Sequence, residues 1–191
     1  MVVFVGFAIS AVLIFYFIFK NSTQNNSAPF TASIVASYEQ GKISFGLPII
    51  LKIPKINVES GIEYVGLTSD GAMDVPKNQD NVAWFKLGQR PGEDGSAVIA
   101  GHYGLKDGKP SVFDNLHKLV KGDKLYIEDD QGKAISFVVR EIKSYDPQAN
   151  ATEVFNSNDG KSHLNLITCE GTWDEIFKTY SQRLVVFTDR E

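Results

Sequence analysis

The sequence predicts an all-β domain with short helices, a barrel or sandwich, preceded by a transmembrane helix. Three observations predict it. From Pro48 onward, eight short strand-like runs alternate with turn signals, which is the pattern of a barrel or sandwich. The first nineteen residues, Met1 to Phe19, carry no charge. The chain has 191 residues and is 43% hydrophobic, enough for one substantial core but hardly for two.

The elements follow in order. Met1 to Phe19 has only Ser10 as an overtly polar residue, and at about 1.5 Å per residue it can span a bilayer core of about 30 Å. It looks too long for the apolar part of a signal peptide and has no basic stretch before it, which predicts an uncleaved anchor. Lys20 follows it and no basic side chain precedes it, so flanking charge does not set its orientation. Residues 20–42 form a spacer, polar and uncharged from Asn21 to Ala28, with a short helix over Phe30 to Gln40 closed by Gly41. The globular domain spans 43–191. Its expected strands are Pro48 to Ile53, Ile62 to Val65, Ala72 to Val75, Ala97 to Ala100, Lys124 to Glu128, Ala134 to Ile142, Leu164 to Thr168 and Leu184 to Thr188. Asp70-Gly71, Asp94-Gly95 and Asp129 to Gly132 mark turns. Ser111 to Leu119 reads as a helical turn or two, with Ser111 as cap and Val112, Phe113 and Leu116 as its apolar face. Asp146 to Ser162 and Glu170 to Gln182 show no periodicity and read as long loops.

Composition excludes several functions. Net charge is −4 and no Lys/Arg cluster exists, which argues against a nucleic-acid partner. One cysteine cannot form an intramolecular disulfide or a thiolate-rich metal site. The three histidines lack metal-binding spacing, and Glu93, Asp94, Asp107, Asp129 and Asp130 fit no calcium-loop motif. No cofactor is expected.

What remains is a constellation at strand ends. Cys169 ends the run His163 to Thr168, and Arg183 opens the run Leu184 to Thr188. If these runs pair antiparallel, thiol and guanidinium meet at one sheet edge, with Glu170 to Gln182 as the connecting loop. His102 follows the apolar run Ser96 to Gly101 and also sits at a strand end. A lone cysteine is most often a small buried hydrophobe, and an arginine at a strand start is usually a surface charge. Together, however, the three groups can perform acyl transfer. A free thiol is only a few per cent ionised at neutral pH, so a nearby cation must favour the thiolate. A guanidinium can stabilise a tetrahedral oxyanion, where losing a donor costs ~3–4 kcal/mol. An imidazolium can protonate a leaving amine. Of the other histidines, His117 rides the short helix, and His163 lies roughly 20 Å from the thiol along a straight strand.

Leu51-Lys52-Ile53-Pro54-Lys55-Ile56, Ala100-Gly101-His102, and Leu166-Ile167-Thr168-Cys169 followed by Arg183 resemble the sortase family. The order His, Cys, Arg matches, as does the separation of about a dozen residues between Cys169 and Arg183. The similarity covers most of Gly46 to Phe187, including Gly71 to Pro76 and Asn81 to Pro91, in a style closest to class E and class F sortases. The resemblance implies a closed eight-stranded β-barrel and an extracytoplasmic cysteine transpeptidase on a single-pass anchor in the cell membrane. Such an enzyme cleaves a sorting signal such as Leu-Pro-x-Thr-Gly between Thr and Gly. It passes the acyl group to an amine of a cell-wall precursor or a pilin lysine. Cys169 is then the nucleophile, His102 the general acid and base, and Arg183 the oxyanion or substrate stabiliser. One departure stands out: Asn165 occupies the first position of the family's Thr-Leu-x-Thr-Cys. Two other readings compete, a thiol hydrolase that releases the same peptides and a silent binding module on the same barrel.

Overall fold

The computed structural model describes residues 44–191. The expected anchor, the spacer and the helix over Phe30 to Gln40 lie outside the described residues. Among the described residues, no helix is long and apolar enough to cross a membrane.

In chain order the strands are β1 (Pro48–Ile53), β2 (Val58–Val65), β3 (Val82–Phe85), β4 (Gly95–Gly101), β5 (Leu105–Lys106), β6 (Lys109–Pro110), β7 (Lys124–Asp129), β8 (Ala134–Tyr145), β9 (Ser162–Asp174) and β10 (Thr179–Arg190). Short 3-10 turns fill Pro54–Ile56 and Leu116–Lys118, and one helical turn, α1, covers Thr152–Phe155. Eight strands close a barrel in the order β1-β2-β3-β4-β9-β10-β8-β7, with β5 and β6 forming a separate small hairpin. Pairing is antiparallel except between β2 and β3 and between β4 and β9, which run parallel. Pro54 stops β1, since it cannot extend the ladder and favours the first turn of a helix.

Period-2 alternation builds the barrel. Leu51 and Ile53, Ala97 and Ile99, Leu125 and Ile127, Phe137 and Val139, Leu164 and Leu166, and Leu184 and Val186 all point into one core with Phe113 and Leu116. The alternate residues of β4, β9 and β10 point outward. There Val98, Val185 and Phe187 pack with Val154 of α1 as a second cluster, joined by Ile167, Phe85 and Met73. The site is built on this outer face.

Four expectations need correction. Ala72 to Val75 is not a strand; it contributes only an isolated bridge between Leu67 and Met73. Three of its four residues are exposed, so no buried face stabilises an extended run. The barrel position belongs instead to β3, where Val82, Ala83 and Trp84 are buried. Glu170 to Gln182 is not a loop. The β9–β10 ladder continues beyond Cys169 and Arg183, pairing Gln182 with Glu170, Tyr180 with Trp173, and Thr179 with Asp174. This extension has few buried side chains, so it lacks the alternation that marks a strand in sequence. Asp146 to Ser162 contains α1, too short to show a helical period. Ser111 caps no helix; its hydroxyl donates to the Gly104 carbonyl at 2.5 Å.

His163 is buried within the barrel wall rather than free. Its Nδ1 lies 2.8 Å from Asp189 Oδ1, and its Nε2 lies 2.9 Å from Asp159 Oδ1. The bond from His163 holds the Asp159 carboxyl well below the usual carboxylate range. This imidazole ties the segment after α1 to β10 and belongs to the scaffold.

Candidate active site

Two strand registers bring the sequence-predicted residues to one end of the sheet. Arg183 of β10 is the direct cross-strand partner of Cys169 of β9. The parallel β4–β9 ladder ends at the pair Ala100 and Ile167, with His102 one residue past the end of β4 and Cys169 two residues further along β9. Thr168 Oγ1 locks that alignment by donating to the Gly101 carbonyl at 2.8 Å. Parity does the rest. Thr168 and Leu184 face the interior, so Cys169 and Arg183 fall on the outer face with Ile167 and Val185. Gly101 has to be glycine, because a Cβ there would collide with the Phe113 ring beneath it.

The guanidinium of Arg183 is held by its own strand. Nη1 donates to the carbonyls of Tyr180 (3.1 Å) and Gln182 (2.9 Å), and Nη2 to Thr179 Oγ1 at 3.0 Å. Among the described residues no carboxylate pairs with it. Its charge therefore stays available to the thiol. Burial pushes the half-buried Cys169 thiol above its ordinary value, and the Arg183 charge pulls it part of the way back. The resting thiol is thus largely protonated near neutral pH. His102 Nε2 lies 2.8 Å from the Pro76 carbonyl. A carbonyl only accepts, so Nε2 carries a proton and Nδ1 is the nitrogen left to exchange one.

A groove of about 670 Å³ runs along the outer face to Cys169 and Arg183. Met73, Val75, Phe85, Phe155, Ile167 and Val185 make it apolar, and Asp146 and Arg183 are the charged residues that line it. His102 lies outside this lining. Beside the site, Tyr180 stacks edge-on with Tyr103 at 5.2 Å and with Trp173 at 5.1 Å. No group of three or more metal-ligating side chains occurs among the described residues.

Several contributors were not visible in the sequence. The Pro76 carbonyl and the carbonyls that hold Arg183 are backbone groups with no residue signature. Asn165 departs from the family motif, and the structure gives its position a physical role. Its side chain is buried, and Nδ2 donates to the Val154 carbonyl at 2.6 Å, pinning α1 against β9 as one wall of the groove. A threonine there is shorter by one heavy atom and lacks the amide donor. Asn165→Ala should therefore cost about 1–3 kcal/mol in denaturant unfolding, the value of a buried hydrogen bond with an orphaned partner. It should also raise KM more than it lowers kcat. Unchanged stability would mean that α1 is held by apolar packing alone.

A family model described as "Sortase domain" matches residues 51–191. Among solved structures, sortase C-1 from Actinomyces oris is similar at 26% identity and a TM-score of 0.60, covering 75% of this chain and 74% of that one. A pilus-related sortase C of Group B Streptococcus is similar at 25% identity and a TM-score of 0.58, covering 78% and 69%. Sortase A from Corynebacterium diphtheriae shares the fold at 23% identity and a TM-score of 0.59, covering 88% and 71%. The comparison with curated proteins gives no match.

Proposed function

The chain belongs to the sortase family of cysteine transpeptidases, and on that premise we propose that it cleaves a Leu-Pro-x-Thr-Gly-like sorting signal and transfers the acyl fragment to an amine. Cys169 is the nucleophile in this reading. Its thiol gives its proton to His102 Nδ1, and the sulfur attacks the Thr carbonyl carbon. Arg183 stabilises the oxyanion with the donors its own strand leaves free. As the tetrahedral species collapses, the carbon–nitrogen bond breaks, His102 protonates the leaving glycine amine, and a thioester remains on Cys169. An incoming amine then attacks the thioester, gives a proton to His102 and releases the thiol.

The observation that carries the proposal is the cross-strand pair Cys169–Arg183 at the end of an apolar groove. Such a groove suits the Leu-Pro part of the signal, while the scissile bond reaches the thiol at its end. The amine acceptor is a cell-wall precursor or a pilin lysine. The Met1 to Phe19 run serves as a single-pass membrane anchor, supported by its length and lack of charge, and the catalytic domain lies on the extracytoplasmic face, as the sortase resemblance implies. The class E or class F assignment rests on the motif style of Gly71 to Pro76 and Asn81 to Pro91; the structural neighbours named above are class C and class A enzymes.

The test incubates the full chain in detergent with a Leu-Pro-x-Thr-Gly peptide and a glycine-based amine, and reads the products by mass spectrometry. Cleavage between Thr and Gly with ligation to the amine is expected. Release of the free acid alone, at any amine concentration, would make the protein a thiol hydrolase. No cleavage across a library of such peptides would sink the substrate assignment.

A further inference from the structure

The loop between β2 and β3 contains one peptide unit held from both ends. The Pro76 carbonyl accepts from His102 Nε2 at 2.8 Å. The N–H of the same peptide, on Lys77, donates to Glu63 Oε2 at 2.8 Å. The other carboxylate oxygen, Glu63 Oε1, accepts from the Asn78 N–H and from Asn81 Nδ2, both at 3.1 Å. Glu63 sits on β2, paired in the ladder with Ala83 of β3, so its backbone is fixed by the barrel. Pro76 is buried, and the Lys77 N–H bond to Glu63 fixes the plane of the peptide that carries its carbonyl.

We infer that Glu63 is a positioning residue for His102, acting through the Pro76–Lys77 peptide. This deepens the proposed function and rests on His102 being its acid–base. In hydrolases with a catalytic triad a carboxylate bonds the imidazole directly, fixing its tautomer and stabilising its charged form. Here the carboxylate stands one peptide further away. Its negative charge pulls on the Lys77 N–H and polarises the peptide, making the Pro76 oxygen a stronger acceptor for His102 Nε2–H. Two consequences follow. Nε2 remains the protonated nitrogen, so Nδ1 is the one that exchanges protons with thiol and amine. The carboxylate also faces, across one peptide, the positive charge that the ring carries when it protonates the leaving amine. Glu63 is suited to this, since the Lys77 N–H bond holds its carboxyl below the usual range and it stays ionised at working pH.

The charged and titratable groups that act on one another at this end of the barrel are Cys169, Arg183, Tyr103, Tyr180 and Asp114, and Lys77 carries the bridging N–H; Glu63→Gln leaves all of them in place while removing one charge. The variant is made in the full chain in detergent. With only three histidines, the ring signals can be assigned by single substitutions and followed by NMR against pH. Removing a negative charge disfavours the imidazolium, so the midpoint of the His102 signal should fall by about half a pH unit, with His117 and His163 unmoved. Turnover of the Leu-Pro-x-Thr-Gly peptide should fall about threefold in kcat at neutral pH, KM should hold, and the acid limb of the rate profile should move to lower pH. An unmoved His102 midpoint in a folded variant overturns the inference, even if turnover drops, because a loop scaffold alone scales the rate without moving the titration. If Glu63→Gln does not fold, Glu63→Asp keeps the charge on β2 but draws the carboxylate back by one methylene from the Lys77 N–H, and a smaller downward shift is expected. No shift there overturns the inference as well. The NMR readout needs no substrate, so a failed peptide assay would count against the proposed function and not against the role of Glu63.

Discussion

Cys169→Ala is expected to abolish both cleavage and transfer, by at least about 10⁴-fold, while the domain remains folded. Cys169 is the chain's one cysteine, so no other side chain can form the thioester. The substitution keeps Cβ and the backbone, and the β9–β10 ladder on either side of Cys169 stays intact. Because the thiol is half-buried and faces the groove, losing its sulfur should change stability by no more than about 1 kcal/mol. The check is a peptide assay alongside thermal unfolding of the same sample. Turnover near the wild-type rate in a folded Cys169→Ala protein would remove cysteine chemistry from the account altogether.

Arg183→Lys is expected to lose at least about 10²-fold in kcat although the charge is kept. The guanidinium is held by the Tyr180 and Gln182 carbonyls and by Thr179 Oγ1, and its charge still acts on the thiol of its cross-strand partner. A lysine ammonium carries three donors on a flexible stem and cannot satisfy these partners and an oxyanion together. Charge and direction can be separated experimentally. Alkylation of Cys169 by iodoacetamide reports how readily the thiolate forms, and it should change little because a cation remains nearby. Peptide turnover reports the oxyanion donors, and it should collapse. Near-normal turnover would make Arg183 a surface charge, whereas equal losses in both assays would mean that its main effect is on the thiol.

The site was legible wherever side-chain chemistry coincides with strand periodicity. The runs Leu164 to Thr168 and Leu184 to Thr188 alternate cleanly, so their antiparallel pairing, and with it the meeting of Cys169 and Arg183, could be read from the chain. His163 could be set apart from the thiol by strand length alone, and the ladder pairs it with Asp189, six residues from the Arg183 pair. Signals failed where burial is local. Val82–Phe85 is a short run with no flanking turn dipeptide, and only the walls around it identify it as a barrel strand. Ala72 to Val75 looked equally strand-like, and its exposure kept it out of the ladder.

By itself, the sequence determined the all-β class, most of the barrel strands and the three residue types proposed to carry the chemistry, because these depend on hydrophobic period and on functional groups that each residue carries with it. Only the tertiary structure decided which groups those residues meet. The parallel β4–β9 register brings the end of β4, just before His102, to the part of β9 that leads into Cys169, the extended hairpin holds the guanidinium with its own carbonyls, and Asn165 fastens α1 to the groove. The link from Glu63 to His102 runs through a peptide bond, a group every residue shares. No sequence pattern marks such a contact, since it depends on where the closed barrel and its loops bring the backbone.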